Sequence, residues 1–424
     1  MLRKTVLDNG IRVISEAIGH VRSISIGVWV ACGSRLEDGA TNGTAHFIEH
    51  MLFKGTEKRS AFDIAAAIDS VGGVMNAFTS KELTSFYIKI PDYHLPLAID
   101  LLADIFLHSR FAREDIEKEK SVVLQEINLT EDTPDDYIQE FLEAQFWNGH
   151  RLGQPILGDR GSVAHFSREG VVDFFGRHYR AGRVVVTAAG RVDHDDLVAR
   201  VQEAFGAMED VAAVKADDGE PRGVAKAAVL ERQLEQVHLM LATMAPSVVS
   251  EQRYSSFLLN AVLGGSMSSR LFQEIREKRA LAYAISSFLA PYGDAGMFNV
   301  YAGTAPRDVR EVLGLILDEM ARMQTTPLRS GEINGAKEFI KGNFLLSMES
   351  TDTRMTRLAK NEMFFGRQLS FEEVVAGIDA VSPGDIQLLA MEMFRPETMA
   401  VAAIGPVSQG DLAWAVGGTK GDGG

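Results

Sequence analysis

The chain has 424 residues, 46% of them hydrophobic, and carries 43 basic against 58 acidic side chains for a net charge of −15. The surplus of carboxylates argues against a nucleic-acid partner, and the lack of an 18-residue apolar run argues against a membrane span. Cys32 is the only cysteine, which rules out an internal disulfide and fits a reducing compartment.

The opening Met1-Leu-Arg-Lys-Thr-Val-Leu-Asp has no apolar stretch of signal-peptide length, so a cytoplasmic location is expected unless a targeting segment has been removed. Thr41 and Asn42 then offer a helix N-cap, followed by Ile48, Met51 and Leu52 as an apolar stripe. On the other face stand His46, Glu49, His50 and Phe53. Residues at i, i+3 and i+4 share one side of a helix, so the motif His46-Phe-Ile-Glu49-His50 aims two imidazoles and a carboxylate at one point. Two such imidazoles can hold one zinc ion, and the carboxylate can act as a base on water. Among zinc peptidases the H-x-x-E-H order is a known motif. Zinc requires at least one further protein ligand.

Gly72-Gly73 ends a helix-like run near Val71, and Val74 to Thr79 reads as a short strand leading into a second at Ser85 to Ile90. The first of these is either an exposed edge or a covered strand. In the helix expected over Arg113 to Thr130, Glu119 and Glu126 lie seven residues apart, on one face with Val122 and Leu129. They are candidates for the missing ligand. The bland alternative is a solvated run, since Glu114, Asp115, Glu117, Lys118 and Lys120 crowd the same helix.

The pattern then recurs. Residues 165–192 align without gaps on 380–407 at an offset of 215, pairing Ser167 with Ser382, Arg180 with Arg395 and Gly190 with Gly405. Residues 86–105 likewise echo 298–317, a strand followed by an amphipathic helix in each case. Between the copies, Asp210 to Gly223 lacks an apolar period and reads as a linker. Beyond it come a strand at Val237 to Thr243 and helices at Gln252 to Leu263, Val309 to Met323 and Glu332 to Ser347. Where the first copy has its histidine helix, the second has Ser255 to Gly265, with no His and no Glu. Arg276 and Tyr283, seven residues apart, follow the glycine-serine run Gly264 to Ser269. On usage alone they are a basic helix end and a partly buried tyrosine.

His46-x-x-Glu49-His50 with Glu126 downstream resembles the pitrilysin/insulinase family of zinc metallopeptidases, within it the mitochondrial processing peptidase branch and its bacterial relatives. Asn9-Gly10-Ile11-Arg12-Val13, Gly33-Ser34-Arg35, Lys54-Gly55-Thr56, Asn76 to Glu82, Leu124-Gln125-Glu126-Ile127 and Asp132 to Asp136 carry the resemblance further. It implies one Zn2+ per chain bound by His46, His50 and Glu126, with Glu49 as the general base that activates water and Glu119 as a carboxylate orienting a ligand. It implies that Val74, Asn76, Ala77, Phe78 and Thr79 form an edge strand to which a peptide substrate adds its backbone. It further implies that Arg276 and Tyr283 reach the substrate from the non-catalytic half, as donors to a peptide carbonyl or developing oxyanion.

The expected fold class is α+β, in two homologous halves, each a mostly antiparallel sheet covered by helices on one face. The halves are placed at 1–210, catalytic, and 224–412, with a linker at 211–223 and a disordered tail at 413–424. By the resemblance, two such chains form a homodimer, or a heterodimer with a homologous subunit, that closes on unfolded or presequence-like peptides. The other reading is a non-catalytic peptide-binding or structural core-type subunit of a larger complex.

Overall fold

The computed structural model describes residues 1–210 and 218–416. In chain order the strands are β1 Leu2–Val6, β2 Arg12–Ala17, β3 Ser23–Val30, β4 Val74–Thr79, β5 Thr84–Pro91, β6 Val184–Gly190, β7 Lys226–Glu231, β8 Val237–Ala245, β9 Ala282–Pro291, β10 Gly296–Thr304 and β11 Ala400–Gly405. The helices of the first half are α1 Thr44–Leu52, α2 Ala61–Asp69, α3 Leu95–His108, α4 Arg113–Asp132, α5 Pro134–Phe146, α6 Arg160–Ala164, α7 Arg168–His178 and α8 His194–Phe205. Those of the second are α9 Arg253–Leu263, α10 Val309–Thr325, α11 Ser330–Ser347, α12 Thr351–Phe365, α13 Phe371–Ala380, α14 Pro383–Met393 and the single turn α15 Gln409–Leu412. Among the described residues no single helix is long and apolar enough to cross a membrane.

Two compact units emerge, the described parts of Met1–Asn128, Gln154–Asp217 and Leu346–Gln368, and of Leu129–Gly153, Asp218–Leu345 and Leu369–Gly424. The first holds a six-stranded sheet in the order β1-β2-β6-β3-β5-β4. Only β2 and β6 run parallel, with Ile14 opposite Thr187. β3 and β6 are buried along nearly their whole length, as strands flanked on both sides and covered on both faces must be. One face packs Ile26, Val28, Phe86, Ile88 and Val186 under α1, α3, α7 and α8. Cys32 is a buried member of this core.

The opposite face is also apolar, with Ile14, Trp29, Val185 and Ala189, and would face water if helices covered one face alone. Met355, Leu358 and Ala359 of α12 cover it. Polar anchors hold α12 in register: Ser25 donates to Asp352 at 2.5 Å, Lys89 pairs with Asp352 at 2.9 Å, and Lys4 pairs with the buried Glu362 at 2.6 Å.

The second unit repeats this design with one strand fewer, in the order β7-β11-β8-β10-β9. Again one pair is parallel, β7 with β11. Val312, Leu313 and Ile316 of α10, with Leu258 of α9 and Ile386 and Leu389 of α14, pack on one face. Ile138, Leu142 and Phe146 of α5 cover the other, against Met240, Ala242, Met297 and Ala402. The expectation of helices on one face therefore gains a second layer in each unit, a single helix on the far face. Cutting the chain at 210–223 would assign α5 to the first unit and α12 to the second, whereas each helix belongs to the other unit.

The aligned glycines have the same task. Gly190 closes β6 at φ +134° and Gly405 closes β11 at φ +145°. A Cβ on Gly190 would lie 2.3 Å from the Ser23 carbonyl oxygen, so neither the dihedral nor the space admits a side chain. Of the expected linker, 211–217 lie outside the described residues, and 218–223 have no regular structure. Of the expected tail, Ala413–Ala415 form a short 3-10 turn and 417–424 lie outside the described residues.

Candidate active site

The site is built on α1. Phe47, Ile48, Met51 and Leu52 are buried in the core, which turns His46, Glu49 and His50 toward the opposite face. Phe53, expected on that polar face, instead caps the helix and packs on Phe86, 6.3 Å between ring centroids. The N-terminus also differs from the expected Thr41 or Asn42 cap. Gly43 is the N-cap, at φ +92°, and has no side chain to offer. Glu37, fully buried, takes that role: it accepts from the Gly43 and Ala45 N–H groups at 2.7 and 2.6 Å and from the Asn42 amide at 3.2 Å. A carboxylate there satisfies open backbone donors and faces the positive end of the helix dipole. Burial pushes its carboxyl up to about 8, against the pull of those donors.

α4 brings the two glutamates. Its buried face holds Ile116, Glu119, Val123 and Ile127, and Glu126 sits beside it with a side chain 38% exposed. The ligand atoms of His46, His50 and Glu126 all lie within 4.8 Å of one another. Glu126 Oε2 stands 3.7 Å from His46 Nε2 and 3.6 Å from His50 Nε2, and it is buried without a hydrogen-bond partner. Two ligands at about 2.0–2.1 Å from a tetrahedral ion lie about 3.3 Å apart. These separations, too long for hydrogen bonds and close to that spacing, fit a cation among the three. Two nitrogens and one carboxylate oxygen are a donor set that suits zinc.

Each neighbour of the triad has a definite job. Glu119 Oε1 accepts from His50 Nδ1 at 2.8 Å, which leaves Nε2 as the ligating atom, and its Oε2 pairs with Lys54 Nζ at 2.7 Å. Glu49 Oε2 accepts from the Thr79 hydroxyl at 2.6 Å. Electrostatics separate the two histidines. Burial, with repulsion from His50, holds the His46 ring down to about 3, so it is neutral and ready to ligate. For His50, burial is outweighed by the Glu119 hydrogen bond and the charges of Glu126, Glu119 and Glu49, which together raise it. Burial raises the Glu49 carboxyl, while the Thr79 hydrogen bond opposes that shift. Glu119 is also subject to burial, but its bonds to His50 and Lys54 prevail and hold it low.

The expected substrate strand is an edge. β4 pairs with β5 alone, and Val74 is 59% exposed. The Ala77 N–H is donated to the Asn76 side chain at 2.8 Å rather than to β5, which places Ala77 among the outward-facing residues of the ladder. Phe78 turns to the other face, edge-on to Trp29 at 5.7 Å.

In the second unit, α9 is the counterpart of α1 and carries neither His nor Glu. Among the described residues His46, His50 and Glu126 are the one group placed to hold a metal. Arg276 lies in the π-helical turn Phe272–Glu277, its guanidinium 5.1 Å from the Tyr283 ring and 4.8 Å from that of Phe272. Tyr283 is 78% exposed at the start of β9, the edge of its sheet. The structure thus gathers His46, Glu49, His50, Thr79, Glu119 and Glu126 in one unit and Arg276 and Tyr283 in the other. Sequence reasoning passed over Glu37 and Lys54. Lys54 had a signal, in the Lys54-Gly55-Thr56 segment one turn after His50; Glu37 had none.

Residues 12–160 match the Insulinase (Peptidase family M16) family, and residues 165–340 match the Peptidase M16 inactive domain. The chain is 39% identical over 415 residues to an uncharacterized zinc protease of Streptomyces coelicolor, covering 96% of this chain and 90% of that protein. It is 39% identical over 407 residues to the uncharacterized zinc protease YmxG of Bacillus subtilis, covering 96% and 98%. Its fold is shared with a protease from Helicobacter pylori at a TM-score of 0.90 and 20% identity, covering 95% of this chain and 99% of that one. A protein from Pseudomonas fluorescens described as a peptidase M16 inactive domain gives 0.88 at 20% identity, covering 96% and 98%. The chain belongs to the insulinase, or M16, family of peptidases.

Proposed function

We propose that this protein is a zinc-dependent endopeptidase, with His46, His50 and Glu126 holding one Zn2+ per chain. The convergence of these three side chains with Glu49 beside them is the observation that carries the reading. When bound, zinc polarises a carbonyl and acidifies water. Glu49 takes the proton of the attacking water, favoured by a partly buried carboxyl whose affinity for protons is raised, and later hands it to the leaving amine. Glu119 fixes the His50 ring, and Lys54 balances the charge of Glu119.

Substrate binding falls to β4, whose outward backbone groups hydrogen-bond an extended peptide without reading its side chains. This suits unfolded or presequence-like peptides, in keeping with the resemblance to processing peptidases. Arg276 and Tyr283 supply donors to a peptide carbonyl or developing oxyanion. The working form is a homodimer, or a heterodimer with a homologous subunit, closing a chamber around the peptide. The names of the relatives, zinc proteases, favour catalysis over a purely structural role. Incubating purified protein with an unstructured peptide, with and without chelator, tests the reading: cleavage that needs the metal is expected, and a metal-loaded protein that cleaves nothing would overturn it.

A further inference from the structure

We infer that Thr79 is a positioning residue that ties the substrate strand to the base Glu49, an inference that rests on the peptidase reading above. Thr79 is the last residue of β4 and pairs across the ladder with Thr84. Thr84 is fully buried, and its hydroxyl donates to the Cys32 carbonyl at 2.9 Å. Its one proton is therefore committed, and toward Thr79, 3.3 Å away, it can only accept. The Thr79 proton has two possible acceptors, Thr84 at 3.3 Å and the Glu49 carboxylate at 2.6 Å. The shorter, charge-assisted bond prevails.

That bond is held from several sides. Phe78 is locked against Trp29 on the far face. Ser80 closes the strand end with its N–H to the Leu83 carbonyl at 2.8 Å, and its hydroxyl bonds the same carbonyl at 3.0 Å. A β-branched side chain on so fixed a backbone has little χ1 freedom. Among the described residues Thr79 is the one hydrogen-bond partner of Glu49. It engages Oε2 and leaves Oε1 for the water, so the orientation of the base is set by the strand on which the peptide lies. One hydroxyl then links the strand on which the peptide lies to the base that acts on water.

Thr79→Val keeps the shape and removes the donor, while Thr79→Ser keeps the donor; Thr79→Ala replaces the first should it fail to fold. Each is compared with wild type on one unstructured fluorogenic peptide, with bound metal counted. The donorless variant should keep its metal and a KM within about twofold while kcat falls about 10- to 100-fold, and Thr79→Ser should stay within about threefold of wild type. In a Glu49→Gln background, Thr79→Val should leave peptide binding unchanged. A wild-type kcat in Thr79→Val, a loss confined to KM or metal content, or a Thr79→Ser as slow as Thr79→Val overturns the inference. If metal-loaded wild type cleaves nothing, the peptidase reading itself falls, and the inference with it.

Discussion

Glu119 accepts a 2.8 Å hydrogen bond from Nδ1 of His50, although it lies 69 residues further along the chain and is 3% exposed. A buried carboxylate is costly unless compensated. Here His50 on one oxygen and Lys54 on the other supply the compensation. Removing either should therefore be felt at the metal.

Glu119→Ala should weaken zinc binding about 10- to 100-fold, as loss of such outer partners commonly does. Lys54→Met should weaken it less, because the bond to His50 survives. Chelator competition measures both. Equal affinity in Glu119→Ala and wild type would contradict this account of the carboxylate.

Ala77→Pro removes one outward N–H from β4 without touching the ladder to β5, since that N–H bonds only the Asn76 side chain. Losing one main-chain bond to the peptide should raise KM about 3- to 10-fold, with kcat and the unfolding temperature little changed. Steady-state kinetics and a thermal melt decide it. An unchanged KM would place the peptide elsewhere.

His178 is 7% exposed, and its ring packs 4.4 Å from that of Phe174. Burial, with the Arg183 and Arg177 charges, holds it down to about 4 from the usual 6.5. The unfolded chain thus takes up this proton first, so the contribution is whole above pH 6.5 and is lost as pH falls toward 4. Between those values it amounts to about 3 kcal/mol. His178→Phe should flatten the decline by that order in urea unfolding of the metal-free protein across pH 4 to 7. Parallel curves for the two proteins would refute the assignment.

What the sequence revealed depended on how far apart the interacting residues lie. His46, Glu49 and His50 declare themselves because helix periodicity alone brings i, i+3 and i+4 together. Glu126 and Glu119 announce a common face of α4, yet nothing local says that this face meets α1; the family resemblance supplied that. Glu37 was invisible, for a lone acidic residue after a short turn gives no sign that it is buried against a helix end six residues away. The amphipathic patterns of α5 and α12 reveal a face to bury but not which sheet will bury it, and each serves a sheet formed by strands from the other half of the sequence. The duplication was legible for the opposite reason, because Gly190 and Gly405 meet the same steric demand at the ends of β6 and β11.

The central claim is that Glu49 acts on water while His46, His50 and Glu126 hold the ion. Glu49→Gln removes the base and leaves the ligands in place, so cleavage of an unstructured peptide, measured alongside bound metal, tests it most directly. The account predicts one zinc per chain and a fall in kcat of about 10²- to 10⁴-fold. Cleavage at the wild-type rate with zinc still bound would contradict it.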